Sequence, residues 1–205
     1  MRYQIIANDW NVRKPLCDSQ TSGLMKTTRA LAVTLFVSTL ATAAWSSPFD
    51  VSGKVIYVDD GDTVVLLVDG QKQMKVRLSS IDAPESSHTN KQIGRIGQPY
   101  SENSGKYLAA LVKKKNVAAH CFETDRYGRD VCELFVDGRS VNKEMVKQGW
   151  AWANVAAKGR YLRDKSLPFT EATARASNMG LWAGLNPVAP WEWRDVCWKQ
   201  GKCLF

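Results

Sequence analysis

Histidine is almost missing from this chain: His88 and His120 are the two in 205 residues. Cysteine is scarce too, with five, and no two stand in the C-x-x-C spacing that grips zinc. Together these shortages exclude the common zinc sites, which draw on thiolates and imidazoles at set spacings. Internal repeats and low-complexity tracts are absent. The apolar run Ala30 to Ala44 is too short to span a bilayer comfortably. Negative charge is in the minority, with 20 Asp and Glu against 28 Lys and Arg, a formal +8. That balance favours polyanionic partners such as nucleic acid or anionic lipid, and says nothing about fold. The length suits one well-buried domain with a tail rather than two large domains.

Residues 1–46 read as an address. Met25-Lys26-Thr27-Thr28-Arg29 opens a short basic segment, the apolar run follows, and small residues close it at Ala41-Thr42-Ala43 or Ala44-Trp45-Ser46. This is the three-part design of a secretory signal peptide over 25–46, with a membrane anchor as the competing reading. Residues 1–24 have no place in that design and read as a spurious upstream extension, with Met25 the candidate start. Residues 47–205 keep 23 basic and 18 acidic side chains, a net +5. The expected location is the periplasm or the medium. Cysteine usage agrees, because Cys17 leaves with the prefix and an even set remains. Cys121 and Cys132 flank a turn at Tyr127-Gly128, and Cys197 and Cys203 close a small loop near the end, so these are the expected disulfide pairs. The alternative is four buried thiols.

The most informative stretch is Val58 to Glu85. Apolar and polar residues alternate over Thr63–Val68 and Met74–Ile81, with Asp69-Gly70 between them as a tight two-residue hairpin turn. Asp60 and Asp62 enter the first strand; Asp82 and Glu85 leave the second. A hairpin folds its outer ends together, so these four acids are expected to converge at one rim with Arg77 in reach.

The remaining chain supplies further short elements. Gly53–Val58 reads as a first strand, and His88–Pro99, with Lys91 and Arg95, as an exposed loop. Ser101–Lys114 has helical spacing, with Ser101 as its cap. Val117–Glu123 and Val131–Val136 read as strands joined around Tyr127-Gly128. Short helices follow over Val141–Gln148 and from Pro168, capped by Ser166, to Asn178, and the tail Pro190-Trp191-Glu192-Trp193-Arg194 reads as irregular. The fold class is therefore α+β and mainly β: a five-stranded OB-fold barrel with about three helices. The domain spans 47–185, and 186–205 forms a Trp-rich, cysteine-containing tail.

Carboxylates without Cys or His select hard cations, and loop carboxylates suit calcium better than the strict octahedron of magnesium. Asp62 and Asp82 are the candidate direct ligands, with the Ala83 carbonyl beside them and Asp60 acting through water. Asp-Gly-Asp alone would be merely a turn. Arg77 and Arg129 are candidate phosphate clamps, since a guanidinium grips two oxygens in a planar fork. Glu85 is a candidate general base on a water near the ion, or a further ligand through water.

The segments D-G-D-T-V (60–64), R-L-x-x-I-D-A-P-E (77–85) and D-R-Y-G-R (125–129) resemble the signature segments of the staphylococcal nuclease family. The likeness runs from about Val51 to Trp182, and the tail resembles that of exported Gram-negative members. It implies an OB-fold and a calcium-dependent endonuclease that cuts the P–O5′ bond of DNA and RNA and leaves 3′-phosphate ends. It also implies Asp62 and Asp82 as calcium ligands, Asp60 as an outer carboxylate, Glu85 as base, and Arg77 and Arg129 on the reacting phosphate. Arg126 and Tyr127 fall where the staphylococcal enzyme has a lysine and a tyrosine near the nucleotide. Ala83 stands where the family has threonine, which a backbone ligand tolerates. The family's pair of pocket tyrosines has no match at Val155 and Ala157; Tyr161 or Trp152 are the aromatic candidates. No stable protein partner is implied, and a monomer is expected. A binding-only OB module is the alternative function, yet it gains nothing from acids that repel phosphate unless a cation covers them. A third reading, a disulfide-stapled envelope protein, accounts for the cysteines alone.

Overall fold

The structure, a computed structural model, describes residues 47–90 and 93–203. The signal-peptide reading of 25–46, the upstream 1–24 and Lys91 lie outside these residues. Among the described residues no helix is long and apolar enough to cross a membrane.

Alternation builds the first sheet. Strand β1 (Phe49–Val58) is followed by β2 (Thr63–Val68) and β3 (Lys72–Leu78). Val64, Leu66 and Val68 on β2 and Met74, Val76 and Leu78 on β3 are buried on one face, as a period of two requires. The β2–β3 turn differs by one residue from the expected two. Val68 pairs with Lys72, leaving Asp69, Gly70 and Gln71 in the turn, with Asp69 and Gly70 both at positive φ.

The second run also stops early. Instead of continuing to Ile81, β3 ends at Leu78, and Ser80 takes a left-handed φ of 64°. Beyond this corner β4 (Ile81–Asp82) no longer belongs to the barrel sheet. A small hairpin, β5 (His88–Asn90) and β6 (Ile93–Arg95), lies within the region expected to be loop. Helix α1 (Ser101–Val112) is capped at Tyr100, not Ser101, which is its first helical residue. Then come β7 (Asn116–Thr124), β8 (Asp130–Val136), β9 (Arg139–Ser140), α2 (Val141–Lys147) and β10 (Trp152–Ala153), which pairs with β4. The short α3 (Ala156–Gly159) and α4 (Leu167–Ala176) follow. Ser166 stands at the cap of α4 but makes no side-chain cap bond. The tail is helical where irregular chain was expected. After a 3-10 turn at Gly180–Ala183 come α5 (Pro190–Trp193) and a π-helical turn over Arg194–Lys199.

Among the described residues, β3, β2, β1, β7 and β8 join edge to edge, and β3 returns to pair with β8 in parallel, closing a five-stranded barrel of OB type. Its interior is filled by Val55, Val64, Leu66, Val76 and Leu134, with Leu108 of α1 and Met145 of α2. The parallel seam is pinned by buried Asn142. Its side-chain amide donates to the Ser79 carbonyl at 2.9 Å and the Cys132 carbonyl at 3.2 Å, and its oxygen accepts from the Leu134 N–H at 3.0 Å. Cys121 and Cys132 oppose each other in register across β7 and β8 and are disulfide-bonded; Cys197 and Cys203 form the second bridge.

Candidate active site

Two corners of the barrel, the C-terminal tail and the β7–β8 turn deliver the charged residues. The first corner is Asp60-Gly61-Asp62, between β1 and β2. A Cβ on Gly61 would lie 2.0 Å from the Ser104 Oγ of α1 and 2.7 Å from the Ala83 Cβ, so only glycine lets the loop pass this close. The Asp62 N–H donates to Asp60 Oδ1 at 3.0 Å, which folds the loop back and sinks the Asp62 carboxylate below the rim.

The corner at Ser79-Ser80 supplies the second set. The Ser79 N–H donates to the Cys132 carbonyl, and Ser80 Oγ accepts from the N–H groups of Arg163 and Asp164 at 2.8 and 3.1 Å. Held there, the chain turns out of β3, pairs with β10 and buries Asp82 completely. The Ala83 N–H then donates to Asp62 Oδ2 at 2.8 Å. Arg77, opposite Thr63 in the β2–β3 register, lies between the two acids. Its guanidinium ion-pairs with Asp62 and reaches Asp82 Oδ1 at 2.7 Å.

The third contribution comes from the tail. Arg194 donates through Nη1 to Asp82 Oδ1 at 3.2 Å, through Nη2 to Asp82 Oδ2 at 2.7 Å, and through Nη1 to Glu85. The result is an alternating line of charge, Asp62–Arg77–Asp82–Arg194–Glu85. Burial pushes the Asp62 carboxyl up, to about 7; Arg77 opposes that rise, and the charges of Asp60 and Asp82 add to it. Burial raises Glu85 as well, against the pull of Arg194. Both guanidiniums stay charged, held so by these acids although burial opposes it.

Arg129 reaches the same rim from β7–β8. Its Nε donates to Asp125 Oδ2 at 2.9 Å, and its Nη1 lies 3.5 Å from Thr63 Oγ1, which itself donates to Asp62 Oδ1 at 3.1 Å. Burial works against the charge on Asp125, yet N–H bonds from Arg129 and Tyr127 hold its carboxyl below the usual range. Tyr127 is 67 % exposed, with the guanidiniums of Arg126 and Arg129 at 4.8 and 5.4 Å from its ring centre.

The structure thus brings Asp62, Asp82, Glu85 and Arg77 into one connected cluster, with Asp60, Ala83 and Arg129 at its edge and Arg126 and Tyr127 just outside. Tyr161 is half-exposed beside Arg160 and makes no hydrogen bond or ion pair with the cluster among the described residues. Trp152 is unsuited to stacking on a base, because it is buried edge-on against Trp182 with ring centres 5.1 Å apart. Arg95 stacks on Trp198, at 5.0 Å, and not on the rim. Arg194 is the residue that sequence reasoning missed. Its signal was a lone arginine in an aromatic tail, a pattern that packing alone accounts for.

Among the described residues no three Asp, Glu, His or Cys side chains stand as a ready-made cation cage. The acids are spaced by guanidinium groups instead. The donor set nevertheless suits a hard cation, since it is oxygen-only and already takes a positive group between Asp82 and Glu85.

Residues 75–184 match the family model described as staphylococcal nuclease homologue. The chain is 38% identical over 141 residues to an uncharacterized endonuclease of Haemophilus influenzae, covering 69% of this chain and 71% of that protein. It is similarly 37% identical over 146 residues to an uncharacterized endonuclease of Escherichia coli O157:H7, covering 71% and 86%. With the micrococcal nuclease of Shigella flexneri it shares 34% identity over 177 residues, 80% of this chain and 89% of that one.

Proposed function

The chain belongs to the staphylococcal nuclease homologue family, and from that premise we propose that this phosphodiester-hydrolysing nuclease is a calcium-dependent endonuclease acting on both DNA and RNA. The observation that carries this reading is the convergence of Asp62, Asp82 and Glu85 on two guanidiniums at one rim of the barrel. Acids in that number repel a polyanion, so they serve a nucleic-acid enzyme only when a cation covers them.

Asp62, Asp82 and the Ala83 carbonyl would hold the ion, with Asp60 contributing through water. Bound there, calcium would screen the acids and draw electron density from the phosphate. Arg77 and Arg129, entering from β3 and from the β7–β8 turn, grip the phosphate oxygens and stabilise the charge that grows on them. Glu85 takes a proton from water as its oxygen bonds to phosphorus. The P–O5′ bond breaks on the opposite side, and the 5′ oxygen takes a proton from solvent water and leaves as a hydroxyl, with the phosphate staying on the 3′ end. The raised Glu85 carboxyl favours proton uptake. Arg126 and Tyr127 offer an exposed cationic and aromatic edge for the neighbouring nucleotide, and Tyr161 offers a second. The protein works as a monomer. Its two disulfides support an oxidising location, periplasmic or external.

The test is digestion of DNA and of RNA by the purified protein, with calcium and then with excess EGTA. Cleavage in calcium and its loss in EGTA are expected. Glu85→Gln and Arg129→Ala should each lower the rate by roughly 10²–10³. Calcium-independent cleavage would remove the metal assignment, and binding without cleavage would identify an inert OB module.

A further inference from the structure

We propose that Arg194 is a built-in cation that competes with the divalent ion for Asp82 and Glu85, so that the C-terminal segment sets the affinity of the site for its metal. The proposal rests on the calcium reading above and adds a role for a part of the chain outside the matched family region, residues 75–184.

The contacts compete with direct coordination. Asp82 Oδ1 already accepts from Arg77 at 2.7 Å and from Arg194 at 3.2 Å, and Oδ2 accepts from Arg194 at 2.7 Å. The same guanidinium holds Glu85. A carboxylate offers about four lone-pair sites, and Arg77 and Arg194 fill three of those on Asp82, so an ion at the site left on Oδ2 lies against the like-charged guanidinium of Arg194, which repels it. Glu85 is held through Oε1, and the departure of Arg194 frees that oxygen as well to take a proton from water. Charge favours the exchange: Asp62, Asp82 and Glu85 face the single charges of Arg77 and Arg194, and a doubly charged ion neutralises more of that deficit than one guanidinium does.

Arg194 arrives at the acids on a fixed mount. Trp193 is buried, and its Nε1 donates to the Ile96 carbonyl at 3.3 Å. The Trp198 Nε1 donates to the same carbonyl at 2.9 Å, Arg95 stacks on the Trp198 ring, and the Cys197–Cys203 bridge ties off the π-helical turn. The way out is open. The Arg194 side chain is 34% exposed, whereas that of Asp82 is 1% exposed, so eviction swings the guanidinium outward while the acid stays in place. Outside, it faces the approaching backbone, where a displaced guanidinium suits a phosphate oxygen.

The decisive measurement is a calorimetric calcium titration, without nucleic acid, of the full chain and its Arg194→Gln and Arg194→Lys variants. Removing a competitor held by charge-assisted hydrogen bonds is expected to tighten calcium binding roughly tenfold to hundredfold in Arg194→Gln. Arg194→Lys, which cannot bridge both acids, should fall between. Thermal unfolding in EGTA should occur at a lower temperature in Arg194→Gln than in wild type, and calcium should close that gap. Should Arg194→Gln fail to fold, tighter binding by Arg194→Lys than by wild type still supports the exchange. Equal or weaker calcium binding in the variants overturns it and leaves the nuclease reading intact. Calcium binding by none of the three overturns both.

Discussion

Arg77 is the hinge of the site at the scale of single residues. One side chain ion-pairs with Asp62 and Asp82, which approach it from either side of the β2–β3 hairpin. Asp62 is the acid with the more telling behaviour, because its folded pKa of about 7 lies above the unfolded value near 3.9. The folded protein therefore binds a proton more tightly than the unfolded chain does. That contribution to stability is full below about pH 4 and declines as pH rises, until it is gone above about 7. In chelator, the melting temperature of wild type minus that of Asp62→Asn should fall steadily from pH 4 to pH 7. A difference that rises across this window would show that Arg77 dominates the carboxyl and that burial does not. The acids and Arg77 were legible in sequence because their types and spacing are chemical facts. Arg194 was not, since its partners lie 109 and 112 positions away.

At the scale of elements, two irregularities aim the cluster. Ser80 breaks β3 with a left-handed turn, which lets Asp82 face Arg77 where a continued strand would not. The alternation through Ile81 reads in sequence as one uninterrupted strand, because the groups that hold the corner, among them the N–H groups of Asn154, Arg163 and Asp164 and the side-chain amide of Asn142, lie far along the chain. Gly61 is the other. Its loop runs beneath α1, where Ser104 is buried and its Oγ donates to the Trp150 carbonyl at 2.7 Å. Gly61→Ala should fold with reduced stability and lose most activity, because the clash pushes Asp60 and Asp62 off their positions. Adding Ser104→Gly, which removes the Oγ 2.0 Å away but leaves the Ala83 Cβ at 2.7 Å, should restore part of the activity. Full activity in the single variant would mean that the loop's position does not matter to the chemistry.

Among the described residues, the parallel β3–β8 seam closes the barrel by joining the two end strands of the order β3, β2, β1, β7 and β8. The Cys121–Cys132 bridge ties β7 to β8 beside that seam, buried on both sides. Replacing both residues by serine should cost about 2–4 kcal/mol in denaturant unfolding, the usual value for a loop of this length, with the site's residues untouched. Non-reducing mass spectrometry should find this pair and Cys197–Cys203; four free thiols would contradict the fold and the oxidising compartment alike. The tail packs through Trp193 and Trp198 onto the Ile96 carbonyl and so brings chemistry to the rim from the chain's far end.

By itself the sequence determined the barrel's strands, through their alternation of apolar residues, and the acids and arginines of D-G-D-T-V, R-L-x-x-I-D-A-P-E and D-R-Y-G-R. Periodicity and residue type are local properties, written in neighbours along the chain. Only the tertiary structure decided the break at Ser80, the burial that removes Trp152 from any stacking role, and the insertion of Arg194 between Asp82 and Glu85. Each of these depends on which distant group fills a space or satisfies a charge. That is settled when the barrel closes and water is expelled from its rim.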